Sequence, residues 1–269
     1  MTGVPILMYH SISEHPPPAT APLAVHPGAF ADQMALLADR GFTPIPLSDL
    51  PIRRSAEVRA GRPDTAAGRP VVITFDDGYA DFHENALPVL ERLGFTATVF
   101  VTTGWLADAG PHAAGRPPDR TLSWGQVREA AAHGVEVGAH GHSHPQLDQL
   151  PGPPLYDELT RSRGLLEDDL SVPVQAMAYP YGYSSARVRR AALHTGYRRA
   201  CAVANEVAEP ARHDRLALPR LTIRAGTTLE RFGRIVDGAA AYRLEHALTK
   251  GYAVVRRSRY AARRMLRDV

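Results

Sequence analysis

Two short stretches of this chain carry residues with the spacing to do chemistry. The first is Thr74-Phe75-Asp76-Asp77-Gly78-Tyr79, directly after the β-branched run Val71-Val72-Ile73. Such a run reads as a buried strand and Gly78 as its stop, so two adjacent carboxylates arrive at a strand's C-terminal end. The second is His140-Gly141-His142-Ser143-His144-Pro145, after the β-like Val135-Glu136-Val137-Gly138. His140 and His144 are four residues apart, and a helical turn or a tight loop puts both imidazoles on one side. Two His and a carboxylate form a ligand set for zinc or another divalent first-row metal. Taken alone, Asp-Asp-Gly is read equally well as a turn with two solvated acids. The His stretch makes the pair far more specific than either half.

For these stretches to meet, strands must end side by side, with helices carrying the chain back between them. The residues supply that series. Val4 to His10 reads as a first strand, and Phe30, Met34 and Leu37 give the apolar spacing of a helix over 28–39. A short strand over 42–47 precedes a polar loop over 53–69. After the Asp-Asp stretch come a helix over 85–93 with Leu87, Leu90 and Leu93 inward, and a strand over 97–102. Ser123 reads as the N-cap of a helix reaching His133, and the His-bearing strand follows. A helix over 156–169 turns Leu159, Leu165 and Leu166 inward. Then follow a strand over 174–178, a helix over 184–193, strands around Cys201 and over 217–223, and a helix capped by Thr227 or Thr228. Seven or eight strand–helix alternations point to an α/β fold with a parallel barrel. In such folds the C-terminal ends of the strands build the site.

At 269 residues, one substantial core is within reach, and the formal charge of +3 gives no reason to expect a nucleic-acid partner. Cys201, the sole cysteine, cannot form an intrachain disulfide and reads as a buried strand thiol. Val4 to Met8 is too short for the apolar part of an export signal and lacks a basic lead, so a cytoplasmic location is expected. The stretch Tyr242–Val269 has a helical pattern with six arginines between positions 256 and 267. A basic amphipathic helix can lie on an anionic membrane surface, and a solvated or frayed helix is the simpler reading.

Thr74 to Gly78, His140-x-x-x-His144 and the later Tyr179-Pro180-Tyr181-Gly182 resemble the polysaccharide deacetylase family, the NodB-homology or carbohydrate esterase 4 group. The likeness runs from about Val4 to about Phe232. It implies a distorted (β/α)7–8 TIM-like barrel over 1–236, leaving 237–269 as a basic helical tail. It also implies a divalent metal and hydrolysis of N-acetyl groups on sugars. By the resemblance, Asp77, His140 and His144 are the metal ligands and Asp76 is the general base. The Tyr181 backbone amide is the oxyanion donor, with its ring as a pocket wall. Most members carry the general-acid His near the C-terminus. In the branch resembling poly-β-1,6-N-acetylglucosamine deacetylases it comes near the N-terminus in a Tyr-His context, which His10 matches.

Two departures stand out. The family often has Ser or Thr where Gly141 stands, which loosens the expected support of that loop. Many members carry Arg where Ala178 stands, paired with the catalytic Asp, and Arg220 in Leu218-Pro219-Arg220-Leu221 is the expected replacement. A surface Arg snorkelling over the barrel edge is an equally good reading of Arg220. Zinc is the default metal from the ligand types, and cobalt or nickel fits the same set. The expected substrate is a glycan, cytosolic or lipid-linked, with contact at the inner membrane face through the basic tail. A deformylase or amidase acting on a lipid-linked or small amide, and a non-catalytic glycan-binding barrel, are the competing readings.

Overall fold

The computed structural model describes residues 3–51, 68–209 and 211–238. The stretch Tyr242–Val269 and nearly all of the polar segment over 53–69 lie outside the described residues. In chain order the elements are β1 (Ile6–Tyr9), α1 (Pro27–Asp39), β2 (Phe42–Pro44), β3 (Arg69–Phe75), α2 (Leu87–Leu93), β4 (Thr98–Val101), α3 (Trp124–Ala132), β5 (Glu136–Ala139), α4 (Gly152–Leu170), β6 (Ala176–Ala178), α5 (Ala186–His194), β7 (Arg199–Cys201), β8 (Leu221–Thr222) and α6 (Leu229–Val236). The strands pair in parallel in the order β7-β6-β5-β4-β3-β1-β8, and β2 pairs with β3 on the side.

Strand alternation sorts side chains onto two faces of this curled sheet. Leu7, Tyr9, Val71, Ile73, Phe75, Val99 and Val101 point outward into the layer shared with the helices, where α1 adds Phe30, Met34 and Leu37. Ile6, Val72, Phe100, Ala176, Ala178 and Cys201 form a second cluster on the concave side. The register pairs Tyr9 with Phe75 and Phe100 with Gly138, so the strand ends bearing His10, Asp76 and His140 come out level. Gly138 is required here, because a Cβ at that position would lie 2.6 Å from the Phe100 ring.

The last strand departs from expectation. A strand over 217–223 is reduced to the two residues of β8, with a separate parallel bridge from Leu218 to Cys201. Pro219 has no N–H to give a ladder, and the segment changes partners across it. On one side the Leu218 N–H donates to Ala200 O and its carbonyl accepts from Ala202 N. On the other, Leu221 and Thr222 pair with Leu7 and Met8 of β1. This crossing segment bridges the two ends of the sheet and closes the barrel. Leu93 also departs: it is 37% exposed rather than inward, at the end of α2 beside the left-handed Gly94. The capping positions follow expectation, with Ser123 and Gln126 forming a reciprocal capping box and Thr228 Oγ1 accepting from Arg231 N. The Cys201 thiol is fully buried, and burial pushes its pKa up to about 12.

Candidate metal centre and active site

The strand ends surround a cleft of about 530 Å³ whose walls include His10, Asp76, Asp77, His140, His144 and Tyr181. All six were named from the sequence, and Arg220 lies immediately beneath them.

Asp76 continues the inward-facing series Val72, Thr74, Asp76 past the end of β3. Its carboxylate is 3% exposed and accepts two bonds from the Arg220 guanidinium, Nη1 to Oδ1 at 2.6 Å and Nη2 to Oδ2 at 2.7 Å. Arg220 is wholly buried. Two further donors go to Thr74 Oγ1 (3.2 Å) and Ala202 O (3.3 Å), so this is a bidentate pair inside the barrel rather than a snorkelling surface Arg. Burial by itself would raise the Asp76 carboxyl, but the Arg220 charge, the His140 and His10 imidazoles and the Arg220 hydrogen bonds together outweigh it and hold Asp76 below the usual carboxylate range. Ala178 belongs to the same concave cluster, and the cation missing from β6 is supplied from the crossing segment instead.

Asp77, the next residue, turns out of the strand with φ +74° and presents Oδ1 to His140 Nε2 at 3.3 Å and His144 Nε2 at 3.2 Å. One donor atom from each of the three residues lies within 4.8 Å of the others. His140 Nδ1 donates to Ala178 O at 2.9 Å, which leaves the Nε2 lone pair for a cation. Burial alone would lower the His140 imidazole, but the Asp76 and Asp77 carboxylates outweigh it and hold it above its ordinary value. Burial opposes ionisation of Asp77 as well. Its bonds to the two imidazoles win, and the carboxyl is held well below its ordinary value, the state an anionic ligand needs. Two imidazoles and one carboxylate, with spacing that leaves room between them, fit a tetrahedral divalent cation with an open position.

The ring of His144 is held between Trp105 (centroids 4.6 Å) and Tyr181 (4.8 Å). Trp105 is 8% exposed, so it works as a wall behind the His144 ring rather than as a free stacking platform. The Tyr181 ring is 53% exposed at the cleft's edge. Asp77, His144 and Tyr181 are three of the five non-glycine residues with positive φ among the described residues. Each such residue costs roughly 1–3 kcal/mol, and that cost is concentrated at this cleft. His142, midway between the two imidazoles in sequence, points elsewhere and bonds through Nδ1 with Thr103 Oγ1 (2.9 Å). His10 lies on the wall with its Nδ1 buried and without a partner among the described residues. Burial lowers its imidazole pKa, against the opposing pull of Asp77 and Asp76.

Sequence reading missed two acids that hold these loops. Glu158 of α4 accepts from His142 N (2.7 Å), Ser143 N (2.9 Å) and Ser143 Oγ (2.5 Å). Its signal was available: Leu155, Glu158, Leu159, Ser162 and Leu166 share the buried face of α4, an acid on an apolar stripe. Asp81 accepts from Ser11 Oγ at 2.5 Å, bracing the segment that follows His10, and its Oδ1 has no partner among the described residues. Burial pushes Asp81 up to about 6, helped by Asp119 and Glu84 and opposed by Ser11 and Ile12. A carboxyl raised in the folded state contributes stability below its unfolded pKa of about 4, and that stability is lost as pH rises through the folded value. Asp81→Asn should therefore gain stability relative to the unsubstituted protein between about pH 4 and 6, with a constant difference above. Thermal melts of both proteins across pH 4–8 would show it, and a difference that does not move with pH would refute it.

Comparison with known proteins adds the context. Residues 64–200 match the sequence profile described as polysaccharide deacetylase. YxkH of Bacillus subtilis (strain 168), whose name carries the same family description, is 27% identical over 235 residues, covering 87% of this chain and 76% of that protein. The poly-beta-1,6-N-acetyl-D-glucosamine N-deacetylase of Escherichia coli (strain K12) is 31% identical over 124 residues, 44% of this chain and 18% of that longer protein. Among solved structures, the deacetylase PplD of Streptococcus pyogenes in complex with acetate superposes with a TM-score of 0.72 at 26% identity, covering 87% of this chain and 98% of that one.

Proposed function

Because the chain belongs to the polysaccharide deacetylase family, we propose that it is a metal-dependent hydrolase removing N-acetyl groups from an N-acetylated sugar or polysaccharide. The observation that carries this reading is the Asp77, His140 and His144 donor set with the Arg220-paired Asp76 beside it in one cleft. Asp77, His140 and His144 would hold a divalent cation, probed first with zinc, which supplies Lewis acidity toward a water and an acyl oxygen. Asp76, ionised and aimed by Arg220, takes the proton of the attacking water. The backbone N–H of Tyr181 donates to the oxygen that becomes anionic as the carbonyl carbon turns tetrahedral. His10 gives a proton to the departing amine, so acetate and a free amino sugar leave. The match to a β-1,6-linked N-acetylglucosamine deacetylase and the N-terminal position of His10 both favour that linkage.

A glycan-binding barrel without turnover loses its main support. A lost Arg at the Ala178 position would favour such a barrel, and Arg220 supplies that guanidinium. Acetate release from β-1,4- and β-1,6-linked N-acetylglucosamine oligomers, measured with zinc, with cobalt and after chelation, tests the reading. Release should stop on chelation and return with added metal, fastest on the β-1,6 oligomers. Metal uptake without release from any oligomer would move the substrate to a small or lipid-linked amide. Neither uptake nor release would leave the binding reading standing.

A further inference from the structure

We propose that Glu158 is a positioning residue for the metal centre, clamping the loop between His140 and His144 and so setting where the second imidazole sits. This rests on the reading of Asp77, His140 and His144 as ligands.

The three residues between the two imidazoles are gripped from both sides. On the β4 side their carbonyls are held, Gly141 O by Thr103 N (3.4 Å) and His142 O by Gly104 N (2.7 Å). On the α4 side the N–H groups of His142 and Ser143 and the Ser143 hydroxyl all end on the one carboxylate of Glu158, which is 8% exposed. Gly141 makes the close approach possible. Its φ is +75°, and a Cβ there would stand 3.3 Å from Glu158 Oε2 and 3.4 Å from Pro180 Cγ. Ser or Thr at this position would crowd the carboxylate, so Gly141 and Glu158 work as a pair. In this chain the loop's three donors end on one buried carboxylate.

The two ligands depend on this clamp unequally. His140 is fixed by its own bond to Ala178 O and by the strand it ends. His144 has left-handed backbone (φ +62°) and is located by ring contacts and by the loop behind it. Without Glu158 the two N–H groups would be buried without acceptors and the turn would relax. The consequence should fall on His144 Nε2 and hence on the affinity for metal.

The test is zinc affinity of the full chain by chelator competition, with thermal melts of the metal-free and zinc-loaded protein, for Glu158→Ala, Glu158→Gln and Ser143→Ala. Removing a group that orients a ligand typically costs about 10–100-fold in metal affinity. Glu158→Ala should fall in that range and reduce the zinc-induced rise in Tm. Glu158→Gln should recover most of the affinity, because its carbonyl oxygen can accept from both N–H groups. A residue that merely supports the fold would lower the Tm of the metal-free protein and leave the zinc-induced rise unchanged. If Glu158→Ala does not fold, Ser143→Ala reads the same dependence through one lost bond, with a smaller weakening of zinc binding. Variants that bind zinc as tightly as the parent protein would overturn the inference. A parent protein that takes up no zinc would overturn the ligand reading itself, an outcome distinguishable from the first.

Discussion

Arg220→Met should abolish most turnover and destabilise the fold at neutral pH, and adding Asp76→Asn should restore the stability without restoring the turnover. Arg220 and Asp76 are both buried and meet through two short bonds. Removing the cation leaves a carboxylate without its counter-charge inside the barrel, a loss of about 3–5 kcal/mol. The lone carboxyl can escape that cost by binding a proton, and a protonated Asp76 is no base, so kcat should fall by about 10²–10⁴-fold. The pH dependence follows from the sign of the shift. With Arg220 present Asp76 is held below its unfolded value, so the pair contributes stability above about pH 4 that is lost as pH falls through the folded pKa. The gap in Tm between the parent protein and Arg220→Met should be widest near neutrality and narrow in acid. Asp76→Asn removes the unpaired charge, so the double variant should melt above Arg220→Met while remaining inactive. Unchanged kcat in Arg220→Met would remove Arg220 from the site.

That pair also marks how far the sequence could be read. The two ligand stretches are legible because each is short and each follows a β-branched or β-like run, so local pattern alone places both at strand ends. Arg220 is legible only indirectly, by missing a cation at Ala178 and looking for another strand that could deliver one. What could not be read is where that strand would go. Pro219 breaks the ladder, and Leu218 and Leu221 then serve opposite ends of the sheet, a closure set by tertiary packing rather than local preference. Glu158 and Asp81 escape for a related reason. Their partners are backbone N–H groups of the His loop and a hydroxyl 70 residues away, and nothing in the local pattern of α4, or of the turn after Gly78, states what they face. Leu93 shows the opposite error: its spacing fits the apolar stripe, but the helix ends before the stripe is needed.

His10 gives the other large effect, and it separates roles that a simple loss of activity would not. His10→Gln should slow hydrolysis of an N-acetyl sugar by about 10²–10⁴-fold while leaving hydrolysis of an activated aryl acetate close to that of the parent protein. An amine leaves poorly as its anion, so C–N cleavage needs a proton delivered to nitrogen. A phenolate of low pKa leaves without one. Both substrates need the same attacking water, the same base and the same oxyanion donor. Damage to Asp76, Asp77 or the Tyr181 turn would therefore slow them together. The position of His10 suits the narrower role. It lines the cleft at the end of the strand beside the one that leads into the two Asp residues, and its imidazole is not part of the Asp77, His140 and His144 cluster. Burial lowers its pKa, so its protonated form is a stronger acid and a smaller share of the protein near neutrality. Equal losses on the amide and the aryl ester would assign His10 to the architecture of the cleft and leave the leaving group to be protonated from elsewhere. A loss confined to the amide would fix His10 as the acid.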